Sequence, residues 1–265
     1  MKEDYLEINR ASWNNRLETH LNSAFYDVAG FISGQTSLNP IELELLGDLR
    51  GKSILHLQCH FGQDTLSLAR LGAEVVGVDL SDKAIESAEE LAEKTGLSAT
   101  FVCCNIYDLP LHLDRTFDIV FTSYGTITWL PDLSRWAELI ARYLKPGGRF
   151  VFAEFHPVVW MFDLDFKKIE YSYFNRGPIS ETEEGTYADK TAQISQSYVT
   201  WNHSLGEVVG SLLHASLQVE GFKEYDYSPY NIFPNVIEIS PKKFQLKNLE
   251  AKLPLVYSLV AHKPL

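Results

Sequence analysis

A chain of 265 residues with 45% apolar content can build a substantial core, as one large domain or two small ones, so disordered and fibrous architectures are excluded. Twenty-three Lys and Arg against 35 Asp and Glu give a net charge of −12. That balance repels a phosphate backbone unless the basic residues gather on one face, and the densest groupings are only the pairs Lys167-Lys168 and Lys242-Lys243. Nucleic acid is therefore not an expected partner. No apolar stretch approaches the roughly 20 residues that span a bilayer, and the start MKEDYLEINR is too charged for a secretory core, so the expectation is a cytoplasmic protein with no membrane partner. Of the three cysteines, Cys103 and Cys104 are adjacent and Cys59 stands alone, which is no disulfide framework.

In chain order, Asp4 to Leu21 reads as an amphipathic helix with Tyr5, Ile8, Trp13 and Leu17 as its apolar positions. From Lys52 a regular alternation begins. SILHLQ is a short apolar run, FGQDTLSLARLG is helical and closes at Gly72, and AEVVGVDL is a second buried run. SDKAIESAEELAEKTG follows as a helix capped by Ser81 or Asp82 and ended by Gly96. ATFVCC and FDIVFTSYG are strands, LSRWAELIARYL is a helix stopped by Lys-Pro-Gly-Gly at 145–148, and RFVFAEF is the fifth strand. Strands apolar throughout and separated by helices demand a mostly parallel sheet covered on both faces, a doubly wound α/β fold.

After Phe155 the composition changes: residues 155–233 hold 15 of the 33 aromatics. The acidic turn ETEEGT at 181–186 lies between the strand-tolerant runs KKIEYSYF and TAQISQSYVTW, which predicts an antiparallel, aromatic-rich insertion. A helix from Leu205 to Val219 precedes two last strands in GFKEYDYS and LPLVYSLVAHKP. With no repeat or linker, the whole of 1–265 reads as a single domain: a helical cap at 1–50, a core at 51–156, the insertion at 157–203, and a C-terminal helix with the last strands at 204–265.

In an open α/β sheet the ligand sits outside the carboxyl ends of the strands. The first strand-to-helix turn is His56-Leu57-Gln58-Cys59-His60-Phe61-Gly62, and 17 positions after Gly62 the second strand ends in Asp79. An acid there is placed to accept hydrogen bonds from both hydroxyls of a ribose, the signature of a nucleoside-containing ligand. The third strand ends at Asn105-Ile106, the fourth at Thr122-Ser123-Tyr124 and the fifth at Glu154-Phe155-His156.

The order and spacing of VVGVDLS, CCNIYDLPL, FDIVFTSYGTITWLPD and LKPGGRFVFAEF resemble the class I S-adenosylmethionine-dependent methyltransferases over roughly residues 50–156. The resemblance implies S-adenosylmethionine as cofactor, with Asp79 on its ribose, Leu80 against the adenine, Asn105 and Ile106 at the adenine nitrogens, and Ser123 near the methionine end. The departure lies in the turn. The family has an acid and then alternate glycines, where this chain has His56, Gln58 and His60 before Gly62; Gln58 and His56 are expected to supply neutral hydrogen bonds, with Cys59 beside them.

His56, Cys59 and His60 could in principle suit zinc, but no partner falls at ligand spacing, and no metal is expected. His156, directly after the fifth strand, is the candidate base for an acceptor, with Tyr124 beside it and Trp129 and His203 as further candidates of the same kind. In Asn202-His203-Ser204 a helix cap is the stronger reading. Trp13 and Arg16, on the first helix, are read either as closing over the cofactor and meeting its carboxylate or, for the arginine, as a surface residue; Trp160, Phe162, Tyr171, Tyr173 and Trp201 either wall an apolar acceptor pocket or form the core of the insertion. The expected activity is methyl transfer to the oxygen or nitrogen of a small-molecule acceptor. The alternative is a regulatory protein that binds S-adenosylmethionine or its demethylated product without catalysis. A nucleic-acid methyltransferase is disfavoured by the charge and by Thr122-Ser123-Tyr124-Gly125 where an Asn/Asp-Pro-Pro-Tyr/Phe sequence would stand, and an NAD-dependent oxidoreductase by the single glycine of the turn.

Overall fold

The computed structural model describes residues 4–163 and 165–265; the first three residues of the charged start lie outside the described residues. Three helices come first, α1 (Asp4–Asn22), α2 (Val28–Ile32) and α3 (Pro40–Leu46). The alternating core follows as β1 (Ser53–Leu57), α4 (Gln63–Arg70), β2 (Glu74–Asp79), α5 (Asp82–Thr95), β3 (Thr100–Cys103), β4 (Phe117–Ser123), α6 (Leu133–Tyr143) and β5 (Leu144–Phe155). Beyond it are β6 (Ile179–Glu184), β7 (Ser195–Thr200), α7 (Leu205–His214), β8 (Gln218–Tyr225), β9 (Val236–Ser240), β10 (Lys243–Leu246) and β11 (Val256–His262).

Seven strands form one sheet in the order β3-β2-β1-β4-β5-β11-β8. The first five are parallel, and β11 enters antiparallel between β5 and β8. Both faces of the central strands are buried, which is why β1 and the second half of β5 read as unbroken apolar runs. On one face α6 and α7 pack Trp136, Ile140 and Leu212 against Phe150, Phe152 and Tyr257. On the other, α3 and α4 cover Ile54, Val75, Ile119, Phe121 and Val151. Strand order reverses between β1 and β4, so the crevice that takes a ligand opens above those two strands.

Outside the core the structure corrects four readings of the sequence. The acids Glu181–Glu184 are not a turn but most of β6, paired with β7, while KKIEYSYF forms only an isolated bridge, Ile169 to Phe162. Glu181 and Glu183 alternate with the exposed Thr182 and Glu184 and point inward to Tyr198 and Arg16, so the period of two was carried by acids rather than by apolar residues. α7 stops at His214, and Ser216, at φ +62°, turns the chain into β8. The hairpin β9–β10 and helix α3 were not anticipated, although Asn39-Pro40-Ile41-Glu42 carries the pattern of a helix start, and the Glu42 carboxylate does accept the Asn39 N–H at 3.2 Å. Last, α1 buries Asn9, Ser12, Arg16 and His20 on one face, and Leu17 is its only fully buried apolar side chain.

Gly62 is required twice over. It starts α4 at φ +79°, and a Cβ there would lie 2.9 Å from both the Ala88 methyl and the Phe101 ring. Gly62→Ala is expected to cost roughly 2–4 kcal/mol through backbone strain and overpacking together, read as a lower urea midpoint with an unchanged m-value. A variant as stable as the wild type would show that this contact is not tight.

Candidate cofactor and acceptor site

Two left-handed residues that are not glycine shape the crevice: Gln58 at φ +56° and His60 at φ +51°, in the turn between β1 and α4. That conformation costs a side-chain-bearing residue of order 1 kcal/mol, and here the surroundings enforce it. The His60 N–H donates to Asp79 Oδ2 at 2.7 Å, and the Gln58 amide donates from Nε2 to the Thr126 carbonyl at 2.8 Å. Asp79 Oδ1 accepts the Ser81 N–H at 2.9 Å, so the carboxylate bridges the turn after β1 to the turn after β2. Burial pushes the Asp79 carboxyl above the usual range, against these backbone donors. Each oxygen retains a lone pair, as recognition of two ribose hydroxyls requires.

The loop after β4 is set by a residue singled out only as a strand end. Glu154 is buried and accepts the N–H groups of Gly125, Thr126, Ile127 and Phe155 and the Thr126 hydroxyl. Burial raises its pKa while those donors oppose the shift. Its grip fixes the Thr126 carbonyl that holds Gln58, and a Glu ending an apolar strand is the sequence signal that could have found it.

Helix α1 lies over the crevice. The Asn9 side chain pairs with the Val199 backbone in both directions at 2.8 Å, Asn14 Oδ1 accepts the Ser81 hydroxyl, and Asn15 donates to the Ser195 carbonyl. Arg16 is only 3% exposed and reaches Glu183 at 3.0 Å, with its guanidinium 5.3, 5.6 and 5.2 Å from the ring centres of Trp13, Trp129 and Tyr198. Trp13 stands 5.1 Å from the ring of His60. His20 joins His60 to Thr186, at 2.9 and 2.8 Å. On these two facing surfaces Ser12 Oγ, Arg16 Nε and Nη1, Gln58 Oε1 and His60 Nδ1 are buried without a partner. Buried polar atoms seldom stay unpaired, and these five hold hydrogen-bonding capacity that a polar ligand could use. This set, with the Asp79 bed, fits a nucleoside that bears an amino-acid arm.

The remaining candidates are placed as follows. His56 is buried on Thr65 Oγ1 at 2.8 Å and against Phe121, pushed down by burial to about 3; it lies beneath the turn. The Cys59 thiol is also buried, within reach of the His60 carbonyl, and burial raises its pKa. Leu80 is half-buried beside the acid, Asn105 caps the turn over Ile106–Leu111 through Tyr107 N–H, and Ile106 is in the core. Ser123 donates to Asp64 at 3.4 Å. Tyr124, at φ +41°, donates to Glu42 at 2.9 Å and packs on Phe155 and Tyr230. Burial, then the nearby Asp64, pushes the Glu42 carboxyl up to about 7. Phe25, Tyr26, Tyr187 and Tyr230 close a ring of aromatics around these two acids. His156 turns the other way: its Nδ1 accepts the Val158 N–H, and its Nε2 is 3.0 Å from Glu224 on β8. His203 bridges Glu207 and the Leu130 carbonyl, while Ser204 caps α7. Asn202 donates to the Trp160 and Ser172 carbonyls. Among the described residues no three His, Cys, Asp or Glu side chains gather as metal ligands, and no helix is long and apolar enough to cross a membrane.

Residues 55–152 match a family model described as a methyltransferase domain. An uncharacterized protein of Haemophilus influenzae is 25% identical over 80% of this chain and 87% of its own length. A ubiquinone biosynthesis O-methyltransferase of Coxiella burnetii is 32% identical over 49% of this chain, and the match spans 56% of that relative. A solved S-adenosylmethionine-dependent methyltransferase from Clostridium acetobutylicum superposes with TM-score 0.59 at 15% identity, covering 97% of this chain and 98% of that one. The fold is thus that of the class I S-adenosylmethionine-dependent methyltransferases, and residues 55–152 carry a methyltransferase domain. Where that fold family has glycines in the first strand-to-helix turn, this chain has Gln58 and His60.

Burial holds His20 neutral, down to about 3, helped by the Arg16 charge. The unfolded chain therefore takes up a proton near pH 6.5 that the folded chain refuses. The stability owed to this group is complete above pH 6.5 and is lost as pH falls from there toward about 3. Removing the imidazole in His20→Asn is expected to flatten the dependence of urea stability on pH between 6.5 and 5, by up to about 1.4 kcal/mol per pH unit. Parallel wild-type and variant curves would refute the assignment.

Proposed function

We propose that the chain transfers the methyl group of S-adenosylmethionine to an oxygen or nitrogen of a small-molecule acceptor. The observation that carries this is the bed and lid together: Asp79 bridging two strand-end turns beneath a helix whose buried face is polar. When bound, the cofactor supplies an electrophilic sulfonium methyl, so the chain has to align the acceptor, exclude water and take a proton. Asp79 holds the ribose, with Leu80, Asn105 and Ile106 on the adenine side. Arg16 receives the carboxylate, and Trp13 with Trp129 shuts out solvent. The name of the Coxiella burnetii relative, an O-methyltransferase of ubiquinone biosynthesis, supports a small acceptor.

The acceptor lies in the ring of Phe25, Tyr26, Tyr187 and Tyr230, to which residues 157–203 contribute Tyr187. Of the two candidates for proton removal, Tyr124 faces this ring and is tied to Glu42, whose pKa of about 7 suits a proton store near neutrality; His156 has its Nδ1 on the Val158 N–H and its Nε2 3.0 Å from Glu224 on β8. The proton passes from the acceptor to the Tyr124 oxygen as the Tyr124 hydroxyl hydrogen moves to Glu42.

Calorimetric titration with S-adenosylmethionine, S-adenosylhomocysteine and NAD is expected to show binding of the first two, abolished in Asp79→Ala. Absence of binding in the wild type would remove the cofactor site, and binding of both nucleosides without transfer to any member of an acceptor screen would favour the regulatory alternative. With an acceptor in hand, Tyr124→Phe is expected to lower kcat about 10²-fold at unchanged S-adenosylhomocysteine affinity. Full turnover in that variant would move the proton-accepting role elsewhere.

A further inference from the structure

In this turn the family's second glycine is replaced by His60, and a side chain so close to the cofactor either obstructs it or takes part in holding it. The hydrogen-bond chain that ends on His60 decides between these. His60 Nε2 lies 2.9 Å from His20 Nδ1, a separation at which one ring donates and the other accepts. His20 Nε2 lies 2.8 Å from Thr186 Oγ1, which already accepts the Ala188 N–H at 3.0 Å. Thr186 is buried, so its hydroxyl hydrogen needs an acceptor, and His20 Nε2 is the one within reach. The Thr186 hydroxyl therefore donates to His20 Nε2, the His20 proton sits on Nδ1 and is given to His60 Nε2, and the single proton of neutral His60 is left on Nδ1. That nitrogen, buried and without a partner, is a donor.

The other unpartnered atoms complete the pattern. Arg16 Nε and Nη1 are donors on a guanidinium stacked on Trp13, the ring that also lies against His60. Gln58 Oε1 is an acceptor, because the Nε2 of the same amide is spent on the Thr126 carbonyl. Donors on one side and a neutral acceptor on the other match the carboxylate and the ammonium of an α-amino acid.

We propose that His60 donates its Nδ1–H to the carboxylate of the cofactor's amino-acid arm beside Arg16, that Gln58 Oε1 accepts from the ammonium, and that His20 is the positioning residue that fixes the His60 tautomer. This rests on the S-adenosylmethionine reading and adds to it a role for the side chains in glycine positions. The hydrogen bond to an ionised carboxylate is of the charge-assisted kind, worth about tenfold in affinity.

The test uses two nucleosides, S-adenosylhomocysteine and 5′-deoxy-5′-methylthioadenosine, which share the adenosine and the thioether but differ in the amino-acid arm. His60→Gly restores the family residue and is expected to weaken S-adenosylhomocysteine about tenfold while methylthioadenosine binds as to the wild type; the second titration also shows that the variant is folded. Asp79→Ala should weaken both. His20→Leu should repeat the selective loss and His20→Asn, which keeps a donor near the Nδ1 position, should largely rescue it. Nitrogen-15 spectra of the free wild-type protein should place the His60 proton on Nδ1, a result independent of any variant. Equal S-adenosylhomocysteine affinity in His60→Gly, equal loss of both nucleosides, or a proton on His60 Nε2 would each overturn the proposal. A wild type that binds neither nucleoside would instead overturn the cofactor reading on which it stands.

Discussion

The carboxylate of Asp79 is the constraint on which the crevice depends. A strand-end acid with free oxygens would leave the turn from Gln58 to Gly62 to relax toward ordinary backbone angles, because Gln and His gain nothing from a left-handed conformation. By taking the His60 N–H on one oxygen and the Ser81 N–H on the other, Asp79 locks β1's turn to β2's. Glu154 does the same for the loop after β4, and Gln58 links the two anchored segments through the Thr126 carbonyl. Two buried acids, each satisfied by backbone donors, thereby hold three strand ends in register before any ligand arrives.

Helix α1 follows from that frame. A helix that covers an apolar core presents an apolar stripe, whereas α1 presents Asn9, Ser12, Arg16 and His20 at spacings of three and four. Such a face is stable only where its polar groups find partners, and Val199, Glu183, Thr186 and His60 supply them along its length. The hairpin β6–β7 is a sheet of its own that packs on α1, and its inward acids are what allow a buried arginine to sit among Trp13, Trp129 and Tyr198.

The legible part of this molecule is the part built by repetition. Strands β1, β2, β4 and β5 are buried on both faces and each core helix is bounded by a cap or a glycine, so apolar period and punctuation carry the sheet and place Asp79 at its carboxyl edge. Legibility failed where burial and polarity part company. Hydrophobicity alone points to Tyr5, Ile8, Trp13 and Leu17 as the inner face of α1, of which only Leu17 is buried, and it makes β6 look like a turn because its inward residues are Glu181 and Glu183. Glu42 and Glu154 were missed or passed over for the same reason: a single buried acid leaves no periodic trace, and only the set of donors gathered around it in three dimensions reveals its purpose.

The two substitutions in the glycine turn are coherent with one another on this view. Glycine at 58 and 60 would leave space above the backbone, and without an acid at 56 the ammonium of the cofactor would meet no compensating group. Gln58 returns a neutral acceptor to that place and His60 fills the adjoining space with a ring that His20 holds from behind. Burial keeps His60 and His20 uncharged, so the turn adds no positive charge beside a sulfonium ligand while still offering a donor. Arg16 brings the one cation of the cluster, balanced by Glu183 on the far side of its guanidinium. On the proposed reading a turn lacking two of its glycines takes the same cofactor, because side-chain donors and acceptors fixed from the lid stand in for close backbone approach.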